Sequence, residues 1–460
     1  MSEPWAFREI SGARLPHSKF HASLACIVEG LASSCGSSFS AGCGHGGRQS
    51  ARRLFGNPAL SIEGLLKGHF EQTAARCFGQ SMVLAVQDTT VLDYTSHVSK
   101  KGLGSVDTSG YTRGLMAHSV LMLGLDGQPL GTFGVNIWSR GPITRGSNYA
   151  DRKKLTSEKE SGKWKWGLDQ VLHHAPSSVP VLLIQDREAD VFAFLAAKRR
   201  SNVHLLVRAR WDRKVMVSGE AGDQEATLVT AVASAPVVAS MTVTIPRAVK
   251  RAEREAVLTV RSTCATFKRP EWHALEKHLP QSLYVVDALE ENPPKGETPI
   301  HWILLTTMPV NSPNDASSMV RYYSRRWMIE RLHYVLKSGC SVERLQIDDV
   351  ERLKMALGVY YLVAWRLMSL TYLARTAPDT PADTALSREE ITVLSTATKR
   401  EIHSMADAVA AIGILGGHEH YKNAPPPGPK RLWIGLRRLE DMAIGWSIAR
   451  STQARQVNQD

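Results

Sequence analysis

Two short apolar runs, Met82–Val86 and Val179–Ile184, constrain this chain most, because each is followed within two residues by an aspartate. Runs of this length, bounded by polar residues, read as buried strands. Asp88 and Asp186 would then sit at strand carboxyl ends, where sites form in open α/β sheets. An aspartate there is ordinarily a turn or cap residue. Two on neighbouring strands would repel, and a divalent cation between them resolves the repulsion.

The flanking pattern completes the architecture. Leu115–Leu125 and Leu130–Trp138 flank Asp126-Gly127, a hairpin signal. Thr156–His173 and Ala189–Arg199 read as helices and Val203–Val207 as a further strand. A meander followed by crossover units predicts a mixed sheet flanked by helices, an α/β fold. Val237–Ile245, Ala256–Thr266, Ser282–Leu289 and Trp302–Thr307 make a β-rich block, about residues 211–310, inserted into that core rather than continuing it.

Both ends read as helical. Arg48–Phe55 carries a basic face and stops at Asn57-Pro58, and Ser61 opens a helix towards Arg76. Thr376–Asp383 reads as a linker, Ser387-Arg-Glu-Glu390 as a capping box, and Pro425–Pro429 as a break before a last helix around Trp433–Ile448. The expected units are a basic helical domain (1–75), an α/β core with the β-rich block (76–372) and a helical domain (373–460).

Charge supplies the first hint of a partner. Lys plus Arg number 56 against 44 Asp plus Glu, a formal net charge of +12. Such a balance favours polyanions through counterion release. The six cysteines contain no Cys-x-x-Cys pair, which argues against a structural zinc site and fits a reducing, cytoplasmic setting. No secretory leader is evident, and the longest apolar run, Met355–Trp365, is short of the roughly 18 residues of a membrane span. Gly42–Gly47 follows no strand, so it reads as a loop rather than a dinucleotide cradle. His69, His173, His174, His418 and His420 lack evident ligand partners and read as surface or core residues.

The sharpest constellation lies in Tyr322–Lys337, read as one helix. At about 100° per residue, Tyr323, Arg326, His333 and Lys337 all fall within about 60° of Glu330. Met328, Leu332 and Val335 point the other way. Arg326 and Glu330 could be a plain i,i+4 pair. A tyrosine, an arginine and a lysine all flanking one acid instead suit gripping a DNA backbone beside a metal.

Asp88, Asp186 and Glu330 resemble the acidic triad of the DDE transposases, whose catalytic core has an RNase H-like fold. Tyr323-x2-Arg326-x3-Glu330-x6-Lys337 is similar to the signature of the hairpin-forming, cut-and-paste insertion-sequence-four family. Asp88-Thr-Thr90, Lys159–Trp164, Asp186-Arg-Glu-Ala-Asp190 and Asn292–Pro299 agree with it, over roughly residues 50–370. The N-terminal Gly12-Ala13-Arg14 departs from the family's Gly-Asp-x-Arg pattern.

The resemblance implies Mg²⁺, with Mn²⁺ as a substitute, held by Asp88, Asp186 and Glu330. It implies phosphate contacts from Tyr323, Arg326 and Lys337, an arginine beside the site at Arg208, and a flipped base on Trp302. Arg52 and Arg53 on the basic helix are the candidates for binding transposon ends. The expected partners are double-stranded DNA, both inverted ends and target, and a second copy of the chain in the DNA complex, with no membrane. The expected location is the cytoplasm, at the nucleoid. Two alternatives stay open: a catalytically silent, transposase-derived DNA-binding regulator, and an RNase H-like nuclease without strand transfer.

Overall fold

The computed structural model describes residues 5–33, 44–107, 109–141, 159–219, 222–245, 253–268, 279–419, 421 and 426–457. Four helices open the chain: Trp5–Ile10 (α1), Phe20–Ser33 (α2), Gly44–Phe55 (α3) and Ile62–Cys77 (α4). Ser61 caps α4 by accepting from the Gly64 amide, as its position before an apolar run predicts. Positions 42 and 43 of the expected glycine loop lie outside the described residues, and Gly44–Gly47 open α3.

Val83–Asp93 (β1) continues seven residues beyond the apolar run that announces it. Thr89, Thr90 and Val91 are β-branched, and β3 (Arg113–Leu123) pairs with β1 from Leu84↔Leu123 to Asp93↔Gly114. Asp88 therefore lies within a strand, not at its end. Gly104–Ser105 (β2) pairs with one side of β3, and Pro129–Trp138 (β4) forms the expected hairpin with it. Gly162–His174 (α5) falls within the expected helix and runs one residue past it; residues 156–158 lie outside the described residues. Val181–Gln185 (β5) is parallel to β1, and Val203–Arg208 (β6) is parallel to β5. Between them the expected helix Ala189–Arg199 shrinks to a short turn, Arg187–Ala189, and one helical turn, Phe192–Leu195 (α6).

The β-rich block comprises Lys214–Gly219 (β7), Gly222–Thr227 (β8), a short helix Leu228–Ala233 (α7), Val237–Ile245 (β9), Arg254–Phe267 (β10), Gln281–Leu289 (β11) and His301–Thr306 (β12). Contrary to expectation it continues the core. β12 pairs with β6 through Leu304↔Arg208, so all twelve strands form one mixed sheet. The physical reason is the edge of β6. Left open it would expose a row of unpaired N–H and C=O groups, and β12 covers it.

Pro313–Ser324 (α8), Trp327–Tyr334 (α9), Val350–Thr376 (α10), Arg388–Thr398 (α11), Met405–Leu415 (α12) and Pro429–Val457 (α13) complete the chain. The single expected helix over Tyr322–Lys337 is broken. Arg325 and Arg326 form a tight turn whose amides reach back three residues to Tyr322 and Tyr323, and Val335–Gly339 widens into a π-turn. Helix α10 is long and apolar enough to cross a membrane, but 83% of its most apolar window is buried inside the protein. It packs against α2, α4, α12 and β4.

The predicted capping box of α11 forms between Ser387 and Glu390. The expected linker, however, is bonded in place: Met405 and Ala406 donate their amides to the carbonyls of Thr380 and Pro378. Helix α13 packs on both α2 and α12, and one continuous apolar core runs from Ala6 to Leu439. Burial of these faces joins the two helical ends instead of leaving them loose.

Candidate functional site

Register brings the two aspartates together. Val83 to Val86 on β1 pair with Val181 to Ile184 on β5. The same register, continued two residues, sets Asp88 beside Asp186, and adjacent strands run about 4.8 Å apart. Asp186 follows the last residue of β5 and caps the next turn by accepting from the Glu188 amide at 2.8 Å. Asp88 accepts from the Thr89 amide at 2.7 Å.

Glu330 arrives on α9. Ile329 and Leu332 on that helix are fully buried, and this apolar side packs against β1. The kink at Arg325–Arg326 turns the Arg326 guanidinium inwards. One of its nitrogens lies 2.6 Å from Glu330 Oε1 and the other 3.5 Å from Asp88 Oδ2. Burial pushes the Asp88 carboxyl up to about 6, the charges of Asp186 and Glu330 add to this, and the Thr89 amide and Arg326 oppose it. Asp88 and Glu330 thus share one guanidinium, with Asp186 beside them.

Tyr323 is buried, and its ring meets Trp302 edge-on at 5.1 Å. Arg208, at the end of β6, donates to the His301 carbonyl at 2.9 Å and also bonds Tyr323, whose hydroxyl feels Arg326 and Asp186 as well. Lys337 stands 3.8 Å from Glu343, which in turn accepts from the Asp93 amide at 2.9 Å. Tyr323, Arg326, Arg208 and Trp302 therefore join the three acids in one neighbourhood, while Lys337 is tethered one step away. Arg52 and Arg53 are exposed on α3 and make no contact with this group.

One expectation fails on the same helix. His333 does not share the open face with Glu330: it is buried and its Nε2 pairs with Ser119 Oγ at 3.0 Å. Ser119 is the β3 residue opposite Asp88, so His333 buttresses the sheet beneath the acid. Burial pushes the His333 imidazole down to about 3.

Two groups escape sequence reasoning. Glu63, His173 and His174 place one ligand atom each within 4.8 Å of one another, on α4 and α5. His69, read as a surface or core residue, is buried, and its bond to Glu9 at 2.6 Å is the part spacing does not show. Neither could be found by spacing, because the partners are distant in sequence.

The site so built combines neighbouring strand carboxylates, a helix-borne glutamate and an arginine on a mixed α/β sheet. Residues 166–366 match the family model described as a transposase DDE domain. That match includes Asp186 and Glu330 and begins after Asp88. The domain is RNase H-like, and the match supports a DDE transposase acting in DNA transposition and recombination. Proteins with this domain act on DNA and generally use divalent metals.

Proposed function

We propose that this chain is a transposase of the insertion-sequence-four family, cutting DNA at transposon ends by nicking, hairpin formation and hairpin resolution, and joining them to a target. The observation that carries the reading is the convergence of Asp88, Asp186 and Glu330 beside Arg326. An all-oxygen donor set suits Mg²⁺ or Mn²⁺. The Asp88 carboxyl, raised by burial with the neighbouring acids adding to it, fits the same need, since a bound cation would offset both.

Asp88, Asp186 and Glu330 would hold the metal. When bound, the metal pair supplies an activated nucleophile and stabilises the oxygens of an in-line displacement. The chain's own residues do the rest. Arg326 pairs with Asp88 and Glu330, and its planar guanidinium would turn to a phosphate. Tyr323, held by Arg208 and Trp302, orients that phosphate. Lys337 carries a second charge to the flanking backbone. Trp302 offers its face to an extruded base, which relieves the distortion that a hairpin requires.

Arg52 and Arg53 would grip the transposon end from α3. Cleavage would occur in a dimer at the nucleoid, each site acting on the end held by its partner. The units 1–75, 76–372 and 373–460 remain the functional divisions of this proposal, although their cores are continuous.

The test is incubation of the chain and Mg²⁺ with DNA carrying the ends of its own flanking element. Nicks, hairpins and joined products are expected. Nicks alone would favour a simple nuclease, and binding without cleavage a silent regulator.

A further inference from the structure

A second feature beside Asp186 lies on the other face of β12. Side chains alternate along a strand. Trp302 points to Tyr323, whereas His301 and Ile303 line a separate cleft of about 700 Å³. Arg187, Glu188, Arg208, Arg210 and Trp211 close it. This volume falls in the range of small-molecule sites, roughly 300–1,000 Å³.

Trp211 is 56% exposed, with the Arg210 guanidinium 4.9 Å from its ring centroid. A lone exposed tryptophan means little, but this one is braced. Asp190, only 4% exposed, accepts from the Arg210 amide at 2.8 Å and the Trp211 amide at 3.3 Å, and pairs with Arg213. Asp212 accepts from the Val229 amide at 2.9 Å, and the Ala209 amide donates to the Ile303 carbonyl at 2.7 Å. A buried acid and four backbone amides hold the indole outside the core. Such a platform loses little conformational entropy when something stacks on it.

The charges fit one kind of ligand. Glu188 is engaged by Lys163 at 3.3 Å and Asp212 by a backbone amide, so Arg187 and Arg210 are the cations best placed to meet a new anion. An aromatic face flanked by arginines, with no deep apolar slot, suits an unpaired nucleotide: base on the indole, phosphate on guanidinium. Asp186 immediately precedes Arg187, so the cleft adjoins the cutting site.

We propose that the Trp211 cleft binds an unpaired nucleotide of single-stranded DNA next to the scissile phosphate, separately from Trp302. This rests on reading the site as one that processes DNA. Single strands and duplexes would interact with different surfaces, and the test separates them.

Binding of a labelled oligothymidylate and of a blunt duplex to the full-length chain should be measured at one salt concentration for wild type, Trp211→Ala, Trp211→Phe and Asp186→Asn. Trp211→Ala should weaken single-strand binding roughly tenfold or more, with duplex affinity within about twofold and an unchanged melting temperature. Trp211→Phe should recover most of the loss. Single-strand affinity unchanged in Trp211→Ala would overturn the proposal. So would an equal loss for both DNAs, or a Phe variant no better than Ala. Asp186→Asn separates the two readings: it should keep wild-type single-strand binding while losing cleavage. Cleavage by Asp186→Asn would overturn the proposed function whatever Trp211 does.

Discussion

Two clusters of acid and arginine in this molecule look alike in composition and behave oppositely. In the first, Glu9 on α1 meets His69 and Arg76 on α4 at 2.6 and 2.7 Å. His69 also accepts from the Thr132 amide at 3.1 Å, and Arg76 stacks 4.4 Å over Trp365. Burial alone would raise the Glu9 carboxyl, yet its partners hold it at about 2. In the second, Asp88 and Glu330 share Arg326 with Asp186 alongside, and burial and the neighbouring acids push Asp88 up to about 6. One acid with two donors is a completed joint between the N-terminal helices and the core. Three neighbouring acids with one cation between two of them are an electrostatic deficit that a bound cation would relieve.

The comparison breaks first, if it breaks, at Glu9. Glu9→Gln should leave the half-buried Arg76 without its counter-charge and cost about 1.5–3 kcal/mol of stability, with cleavage per folded molecule unchanged. The native carboxyl lies below its ordinary value of 4.5, so its contribution is present above about pH 4.5 and is lost as pH falls towards 2. Denaturant melts across that range check the sign. A neutral effect would mean that the joint is not what fastens α1.

Asp88→Asn should do the reverse. The native Asp88 carboxyl lies above its ordinary 3.8, so this group stabilises the fold most below about pH 4 and the benefit is lost as pH rises through 6. At pH 8, without divalent cations, removing the charge should therefore stabilise the protein, by about 1–3 kcal/mol at most. Adding Mg²⁺ should raise the melting temperature of the wild type and not of the variant. A variant less stable than wild type at pH 8 would contradict the deficit.

Of the fold, the sequence made legible those parts encoded by local pattern. The strands around Asp88 and Asp186, the Asp126-Gly127 hairpin, the Ser61 cap and the Ser387–Glu390 box all follow from neighbours within a few residues. Asp88 appeared to end a strand because Asp-Thr-Thr lacks apolar residues, and only pairing with β3 carries β1 on to Asp93. The break at Arg325–Arg326 carries no glycine or proline. It is imposed by packing, as is the burial of His333, which shares unbroken α9 with Glu330 but turns to Ser119. The joining of β12 to β6, the Glu9–His69–Arg76 joint and the Asp190 brace are contacts between distant segments, and no periodicity reports them.

Two smaller effects sharpen the reading of the cations around the acids. Trp302→Ala should leave first-strand nicking largely intact and slow hairpin formation roughly 10–100-fold, the loss expected from about 1–3 kcal/mol of stacking. Equal slowing of both steps, or a lowered melting temperature, would make Trp302 a support for Tyr323 alone. Arg52→Ala with Arg53→Ala should reduce the salt dependence of end binding, lowering the slope of log affinity against log salt by about 2. An unchanged slope would remove α3 from the DNA interface.

The central claim is that Asp88, Asp186 and Glu330 are one metal-dependent cutting centre. Mg²⁺-dependent cleavage of end DNA should be measured for Asp88→Asn, Asp186→Asn and Glu330→Gln, with end binding followed in the same samples. The account predicts that each variant binds the ends as wild type does and that cleavage falls more than about 1,000-fold in all three. Any one of them cleaving within about tenfold of wild type would contradict it.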